Sequence, residues 1–272
     1  MLKTRILTAL ILGPAVLAVV FFAPDWLFRL ATAALLLTGC WEFRRLTNLS
    51  PMTGGILFVL QAVVIGLMHY HWDVFSQQAS TLLLGGCAAW CLMYLELYTY
   101  QDGQDTGTGY QARGFAAALI AVSACWFALS WLRDQADGQF LILLLLFIIW
   151  AADIGAYFSG QWLGRTSLAP RISPKKTWEG VIGGILLAML IAVVLSRFTP
   201  LANSPILQLL LLTLATVMSS IGGDLFISIH KRSVKLKDAG KIFPGHGGVL
   251  DRFDSLLPGS AFFALAVWIM SS

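Results

Sequence analysis

The chain has 272 residues, of which 58% are hydrophobic and only 12% charged, with a formal net charge of +4. Soluble domains run at about 45–50% apolar and about 25% charged residues. The composition therefore excludes an ordinary soluble domain and predicts an all-α, polytopic integral membrane protein. No basic stretch is interleaved with aromatic residues, so nucleic acid is not an expected partner.

A helix needs roughly 20 apolar residues to cross the hydrocarbon layer. Apolar runs between charged, Pro or Gly breaks predict about nine spans, at about 6–23, 26–43, 54–72, 80–98, 114–132, 139–160, 180–197, 205–229 and 255–271. The first follows Lys3 and Arg5 as a secretory signal would. However, Val20-Phe21-Phe22-Ala23-Pro24-Asp25 offers no small-x-small cleavage site, so it reads as a retained span. The short link Ala23-Pro24-Asp25 makes the first two spans a tight hairpin. The second span is bounded by Arg29, Glu42 and Arg44, and Glu42 with Arg44 and Arg45 reads as an interfacial ion cluster, with contact to substrate as the alternative. His69, His71 and Asp73 at the end of the third read as a solvated group. Cys40, Cys87, Cys91 and Cys125 lie within apolar runs with no His or acid at metal-ligand spacing, and read as small packing residues.

With nine spans, fifteen of the 18 Lys and Arg residues fall on one side, and only Arg29, Arg133 and Arg197 on the other. The positive-inside rule makes the first side, with the N-terminus, cytoplasmic. A polybasic face also suits anionic membrane lipids. Residues 1–138, about five spans, carry little polar material. Residues 139–272 carry polar groups at membrane depth and read as the catalytic region, with cytoplasmic loops 161–180 and 230–254.

Three constellations carry chemistry. The first is Asp153, inside the sixth span, where an acid costs several kcal/mol unless paired or hydrated. It reads either as functional or as the partner of a Lys or Arg from another helix. Gly160 and Gly164, nearby, form a small-xxx-small pair that suits helix packing. The second is Arg171-Ile-Ser173-Pro174-Lys175-Lys176-Thr177-Trp178-Glu179-Gly180. Ser173 and Pro174 predict a helix start, and two lysines there suit phosphate oxygens, although an ordinary basic flank has the same composition.

The third runs from Asp224 to Asp254. Asp224, Ser228, Lys231 and Arg232 share one helix face, and Asp251 and Asp254 are three apart on the next helix. Two helices can thus aim carboxylates at one point, and hard carboxylate oxygens suit Mg²⁺. Between them, Phe243-Pro244-Gly245-His246-Gly247-Gly248 predicts a tight turn whose N–H groups can approach an anion. Carboxylates on both flanking helices, basic groups and a Gly-rich turn point to phosphoryl or nucleotidyl transfer.

The run Ser228-x-x-Lys231-Arg232-(x4)-Lys237-Asp238-x-Gly240-(x2)-Phe243-Pro244-x-His246-Gly247-Gly248-Val249-x-Asp251-Arg252-Phe253-Asp254 resembles the signature of the phosphatidate cytidylyltransferases, or CDP-diacylglycerol synthases. The Asp153 segment and the Ser173–Gly180 loop are similar to that family as well. Two positions depart from its pattern: His230 stands at a usually apolar position, and Ile227 stands where many members have Glu. The resemblance implies that CTP and phosphatidate react, with Mg²⁺, to give CDP-diacylglycerol and pyrophosphate. On that reading Asp224 and Asp251 hold Mg²⁺ with Asp254 as a third acid, and K⁺ sits beside it. Lys231, Arg232, Lys237 and Arg252 bind phosphates, and Asp238 belongs to the same catalytic set. Ser173, Lys175 and Lys176 complete the cradle, with Ser228, Gly247 and Gly248 on the substrate side. His246 orients the turn or donates to a phosphate, and Asp153 meets metal-bound water or a lysine. The resemblance further implies a homodimer in a bacterial inner membrane, with its site on the cytoplasmic face. Alternatives are a cytidylyltransferase or CTP-dependent kinase for another membrane lipid, and an anion transporter. The polar residues gather at one face rather than along a path, which argues against transport, and no long internal repeat supports it.

Overall fold

The computed structural model describes residues 13–271, apart from 102, 104, 241 and 243–246. It is a helical bundle with one small hairpin. Helix α1 covers Gly13–Phe22, followed by α2 (Asp25–Leu46), α3 (Pro51–Tyr70), α4 (Trp72–Gln77), α5 (Ala79–Met93) and α6 (Leu95–Thr99). Next come α7 (Thr108–Asp134), α8 (Gly138–Leu163), strands β1 (Ser167–Ala169) and β2 (Ser173–Thr177), and α9 (Trp178–Leu195). The chain closes with α10 (Ile206–Ser233), α11 (Leu250–Phe253) and α12 (Leu256–Ser271).

Among the described residues, seven helical stretches are long and apolar enough to cross a membrane: α3, α5 with α6, α7, α8, α9 with its 3₁₀ extension, α10, and α11 with α12. This establishes an all-α integral membrane protein. The first expected span is described only from Gly13. Helix α2 is 22 residues long, but Asp25, Arg29, Glu42, Arg44 and Arg45 reduce its apolarity.

The breaks follow local chemistry. Pro24 separates α1 from α2, and Ser50 caps α3 by accepting from the Thr53 N–H at 3.1 Å, with Pro51 in the first turn. The expected helix start at Ser173-Pro174 is not found. Residues 173–177 instead form β2, paired antiparallel with β1 so that Ser167 faces Thr177 and Ala169 faces Ser173. The helix begins only after Thr177, whose hydroxyl accepts from the Gly180 N–H at 3.1 Å. Thr177 thus takes the capping role expected of Ser173.

Lipid supplies little hydrophobic drive between helices, so close backbone contact matters. The tightest pair is α8 against α9: a Cβ on Gly184 would meet the Ala152 carbonyl at 2.6 Å, and one on Gly155 would meet the Gly183 carbonyl at 2.6 Å. Gly160 joins this seam opposite Gly180, whereas Gly164 caps the end of α8. One apolar core includes residues of both halves, among them Trp90, Trp126, Phe127, Phe226 and Phe263. Helix α12 packs on α5, α7, α8 and α10.

A polar clasp closes the end of the bundle where α2 begins. Arg29 donates to both Asp134 oxygens at 2.6 and 2.5 Å, Trp72 Nε1 donates to Asp134 at 2.5 Å, and the Arg29 guanidinium lies 4.0 Å from the Trp72 ring. Beside it Arg133 donates to Asp25 at 2.9 Å and to the Ala23 carbonyl at 2.8 Å. His69 faces the Trp126 ring and His71 the Tyr70 ring.

Candidate active site

At the other end of α2, three structural units meet: the C-terminal half of α10, the β1–β2 hairpin with the start of α9, and the α11–α12 junction. Each owes its position to a small set of contacts. A Cβ on Gly223 would strike the backbone carbonyl of Asp254 and, at 2.5 Å, the Pro258 ring, so α10 and α12 touch backbone to backbone just where the two acids lie. The hairpin is tied to α10 by Arg232 Nε, which donates to the Ile172 carbonyl at 3.3 Å. Ile172 packs with Tyr100, Leu225 and Ile229.

Asp224 is the hub. It forms an ion pair with Lys176 of β2, accepts from the Ser228 hydroxyl at 3.4 Å, and lies beside the carboxyl of Asp254, whose charge it feels. Asp254 is buried and also accepts from the Ser255 N–H at 2.8 Å. The charges of Lys176 and Lys231 act on both acids. Asp153, on α8, lies in the field of Lys176, Asp224 and Arg252. It opens onto a cavity of about 210 Å³ whose wall also holds Lys175, Lys176, Thr177, Ser220 and Ser255. Lys176, whose charge acts on Asp153, is thus a cavity residue that also pairs with Asp224.

Asp251 is placed differently from the expectation. Its Oδ1 accepts from Lys231 at 3.0 Å, and its Oδ2 accepts from the backbone N–H groups of Ala239 and Gly248 at 2.8 and 2.9 Å. Both oxygens accept hydrogen bonds, and Asp251 closes the loop between α10 and α11. The three expected acids are thus divided between a neighbouring pair, Asp224 and Asp254, and Asp251 on the loop side, with Lys231 between them. Among the described residues no group of three or more His, Cys, Asp or Glu is placed to hold a metal. A facing pair still fits Mg²⁺, which commonly takes one or two carboxylates and completes its shell with water and substrate phosphates. Two neighbouring carboxylates, Asp254 buried and Asp224 half-buried, repel unless a proton or cation lies between them.

The remaining expected residues divide by location. Ser173 is half-buried in β2, and Lys175 is exposed at the cavity. Lys237 and Asp238 are exposed on the loop. Gly247 adopts φ +85°, a left-handed conformation that favours glycine, with Asp251 Oδ2 only 2.7 Å from where its Cβ would lie. Gly248 donates to Asp251, and Arg252 is exposed beside the Asp153 field. Arg232 reaches the hairpin. His246 lies outside the described residues. His230 is buried among Phe43, Tyr110 and Phe226, with Nδ1 2.9 Å from the Phe226 carbonyl, so a ring replaces the apolar residue expected there.

One contributor was misread from sequence. Glu42, taken for part of an ion cluster with Arg44 and Arg45, is buried and accepts from the Leu250 N–H at 2.8 Å. Its only signal in the sequence is a carboxylate within the apolar run before Arg44. Arg44 instead lies 4.6 Å from the Trp41 ring.

A cluster of acids and lysines at the ends of apolar helices, beside a cavity, is equipped to bind polyphosphate and cation together. Comparison with known proteins agrees with that chemistry. Residues 3–270 match the model of the cytidylyltransferase family. A phosphatidate cytidylyltransferase of Haemophilus influenzae is 36% identical, over 97% of this chain and 98% of its own length. One of Pseudomonas aeruginosa is 35% identical over 98% and 97%, and one of Brucella suis 33% identical over 97% and 92%.

Proposed function

The chain belongs to the cytidylyltransferase family, and from that premise we infer that it is a phosphatidate cytidylyltransferase, joining CTP and phosphatidate into CDP-diacylglycerol and pyrophosphate. A phosphatidate oxygen attacks the α-phosphorus of CTP, the bond from that phosphorus to the bridging oxygen breaks, and pyrophosphate leaves with the electron pair. The attacking phosphate is already anionic, so no strong base is required. The barrier lies in bringing two anions together, and positioned cations lower it.

The observation that carries this reading is the Asp224–Asp254 pair with Lys231 and with Lys176, which also lines the cavity. Lys176 meets the substrate phosphates from the hairpin side, with Lys175 beside it. Lys231 and Arg252 meet them from the helix side, and Lys237 from the loop. Asp251 holds Lys231 and the loop amides in register for this task. Asp153 orients Lys176 from across the cavity. Asp224 and Asp254 would hold Mg²⁺, which when bound offsets the negative charge of the triphosphate.

We further read the site as cytoplasmic in a bacterial inner membrane, with nine spans and a cytoplasmic N-terminus. The distribution of Lys and Arg supports this orientation. A homodimer is the family expectation. The test is pyrophosphate release by the purified chain in lipid nanodiscs supplied with CTP, Mg²⁺ and phosphatidate. Release that needs phosphatidate and vanishes in Asp224→Ala is expected. Absence of release with phosphatidate, or turnover indifferent to Asp224→Ala, overturns the reading, and preference for a polyprenyl phosphate transfers it to another lipid.

A further inference from the structure

Glu42 belongs to α2, in the half of the chain with little polar material, yet its carboxylate lies inside the loop that joins α10 to α11. It is 4% exposed. Its Oε2 accepts from the Leu250 N–H at 2.8 Å, while its Oε1 is buried without a hydrogen-bond partner among the described residues. The two limbs of the loop close around it. A Cβ added to Gly240 on the outgoing limb would run into the carboxylate, and a Cβ added to Gly248 on the returning limb would lie 2.6 Å from Oε1. Both glycines are buried. The same two limbs are drawn together from the other side by Asp251, which accepts from Ala239 on one limb and Gly248 on the other.

We propose that Glu42 is a positioning residue for the substrate phosphates: a wedge from α2 that sets the spacing of the two loop limbs and, through them, the place of Lys237 and of the Asp251–Lys231 pair. A buried carboxylate is costly to keep, and a residue serving only to fill space there would be apolar. Glu42 instead satisfies the Leu250 N–H at the root of the returning limb and touches the outgoing limb at a glycine. It acts through the loop and makes no contact with the reacting atoms. The proposal rests on the reading of the loop as a phosphate-binding element in the inferred reaction.

The full chain in nanodiscs tests it with Glu42→Gln, Glu42→Ala, Gly240→Ala and the double variant Glu42→Ala/Gly240→Ala. Two readouts are followed: steady-state kinetics with CTP, and hydrogen exchange of the amides of residues 237–240 and 247–250 without substrate. Glu42→Gln keeps the shape but loses the charge on its backbone hydrogen bond. It should raise the KM for CTP about tenfold with kcat changed less than about threefold, and it should speed exchange at Leu250. Gly240→Ala should impair the wild-type chain to a similar degree, because its methyl displaces the carboxylate. In the Glu42→Ala background the methyl has room, and its added effect should be under about twofold. A Glu42→Gln chain with wild-type KM and wild-type exchange overturns the proposal. So does a Gly240→Ala penalty of equal size in both backgrounds, or a loss in Glu42→Gln that falls only on the yield of folded protein. Should the wild-type chain fail to use CTP, the inferred reaction fails, while the exchange readout and its response to the double variant still decide the role of Glu42.

Discussion

Asp251→Asn is the sharpest probe of how the loop is held. The carboxylate makes three bonds, at 3.0 Å from Lys231 and at 2.8 and 2.9 Å from the amides of Ala239 and Gly248. An asparagine offers one acceptor and one donor in the same shape. If its oxygen faces the two amides, its NH₂ group faces the Lys231 ammonium. If it is flipped, the two amides face NH₂. Either orientation loses charge and leaves donors opposed. The Lys231 and Asp251 side chains are 14% and 8% exposed, so water compensates little. At 3.0 Å and an effective dielectric constant of about 20, the gross attraction is about 5–6 kcal/mol. Offsetting the desolvation that the pair no longer suffers leaves a net loss of about 3 kcal/mol, near the low end for breaking a buried pair. That corresponds to about 150-fold. Steady-state pyrophosphate release in nanodiscs should therefore show kcat/KM for CTP down about 100-fold or more, with faster hydrogen exchange at Ala239 and Gly248. A variant within threefold of wild type, with both amides still protected, would refute the assignment of Asp251 as the clasp of this loop.

Asp224→Asn should lower kcat/KM by about two to three orders of magnitude and move the Mg²⁺ activation midpoint upward, read from a metal titration of pyrophosphate release. Gly184→Val places a side chain where a Cβ already lies 2.6 Å from the Ala152 carbonyl. It should separate α8 from α9 and cost about 1–3 kcal/mol or more, seen as a lower unfolding temperature in detergent. Asp134→Ala removes the acceptor of Arg29 and Trp72 at the end of the bundle remote from the site. It should destabilise the fold by about 3 kcal/mol while activity per folded molecule stays within about twofold.

Much of this architecture is legible in the residues themselves. Apolar runs of membrane length announce the spans, and Pro24, Ser50-Pro51 and the charged loops mark where they end. The meeting of Asp224 with the α11–α12 junction is readable too, because both acids sit where an apolar helix gives way to a polar loop. The carboxylate assignments are less so. Asp251 and Asp254 stand three apart at the same helix start, and only the folded loop shows that one meets Ala239, Gly248 and Lys231 while the other lies beside Asp224. Local signals at Ser173-Pro174 favour a helix start, yet pairing with residues 167–169 draws that segment into a strand and passes the capping role to Thr177. Glu42 is the extreme case. Its partner amide is 208 positions away, and nothing in the run around it distinguishes a wedge in a distant loop from an interfacial acid beside two arginines.

The central claim is that the phosphorus atom passed to the lipid is the α-phosphorus of CTP. CTP labelled at the α-phosphorus, and separately at the γ-phosphorus, should be supplied with Mg²⁺ and phosphatidate to the chain in nanodiscs. The account predicts α-label in the lipid product, γ-label in pyrophosphate, and the two products in equal amounts. Label from the γ-position in the lipid would reveal a kinase, and no label in the lipid from either position would contradict the account.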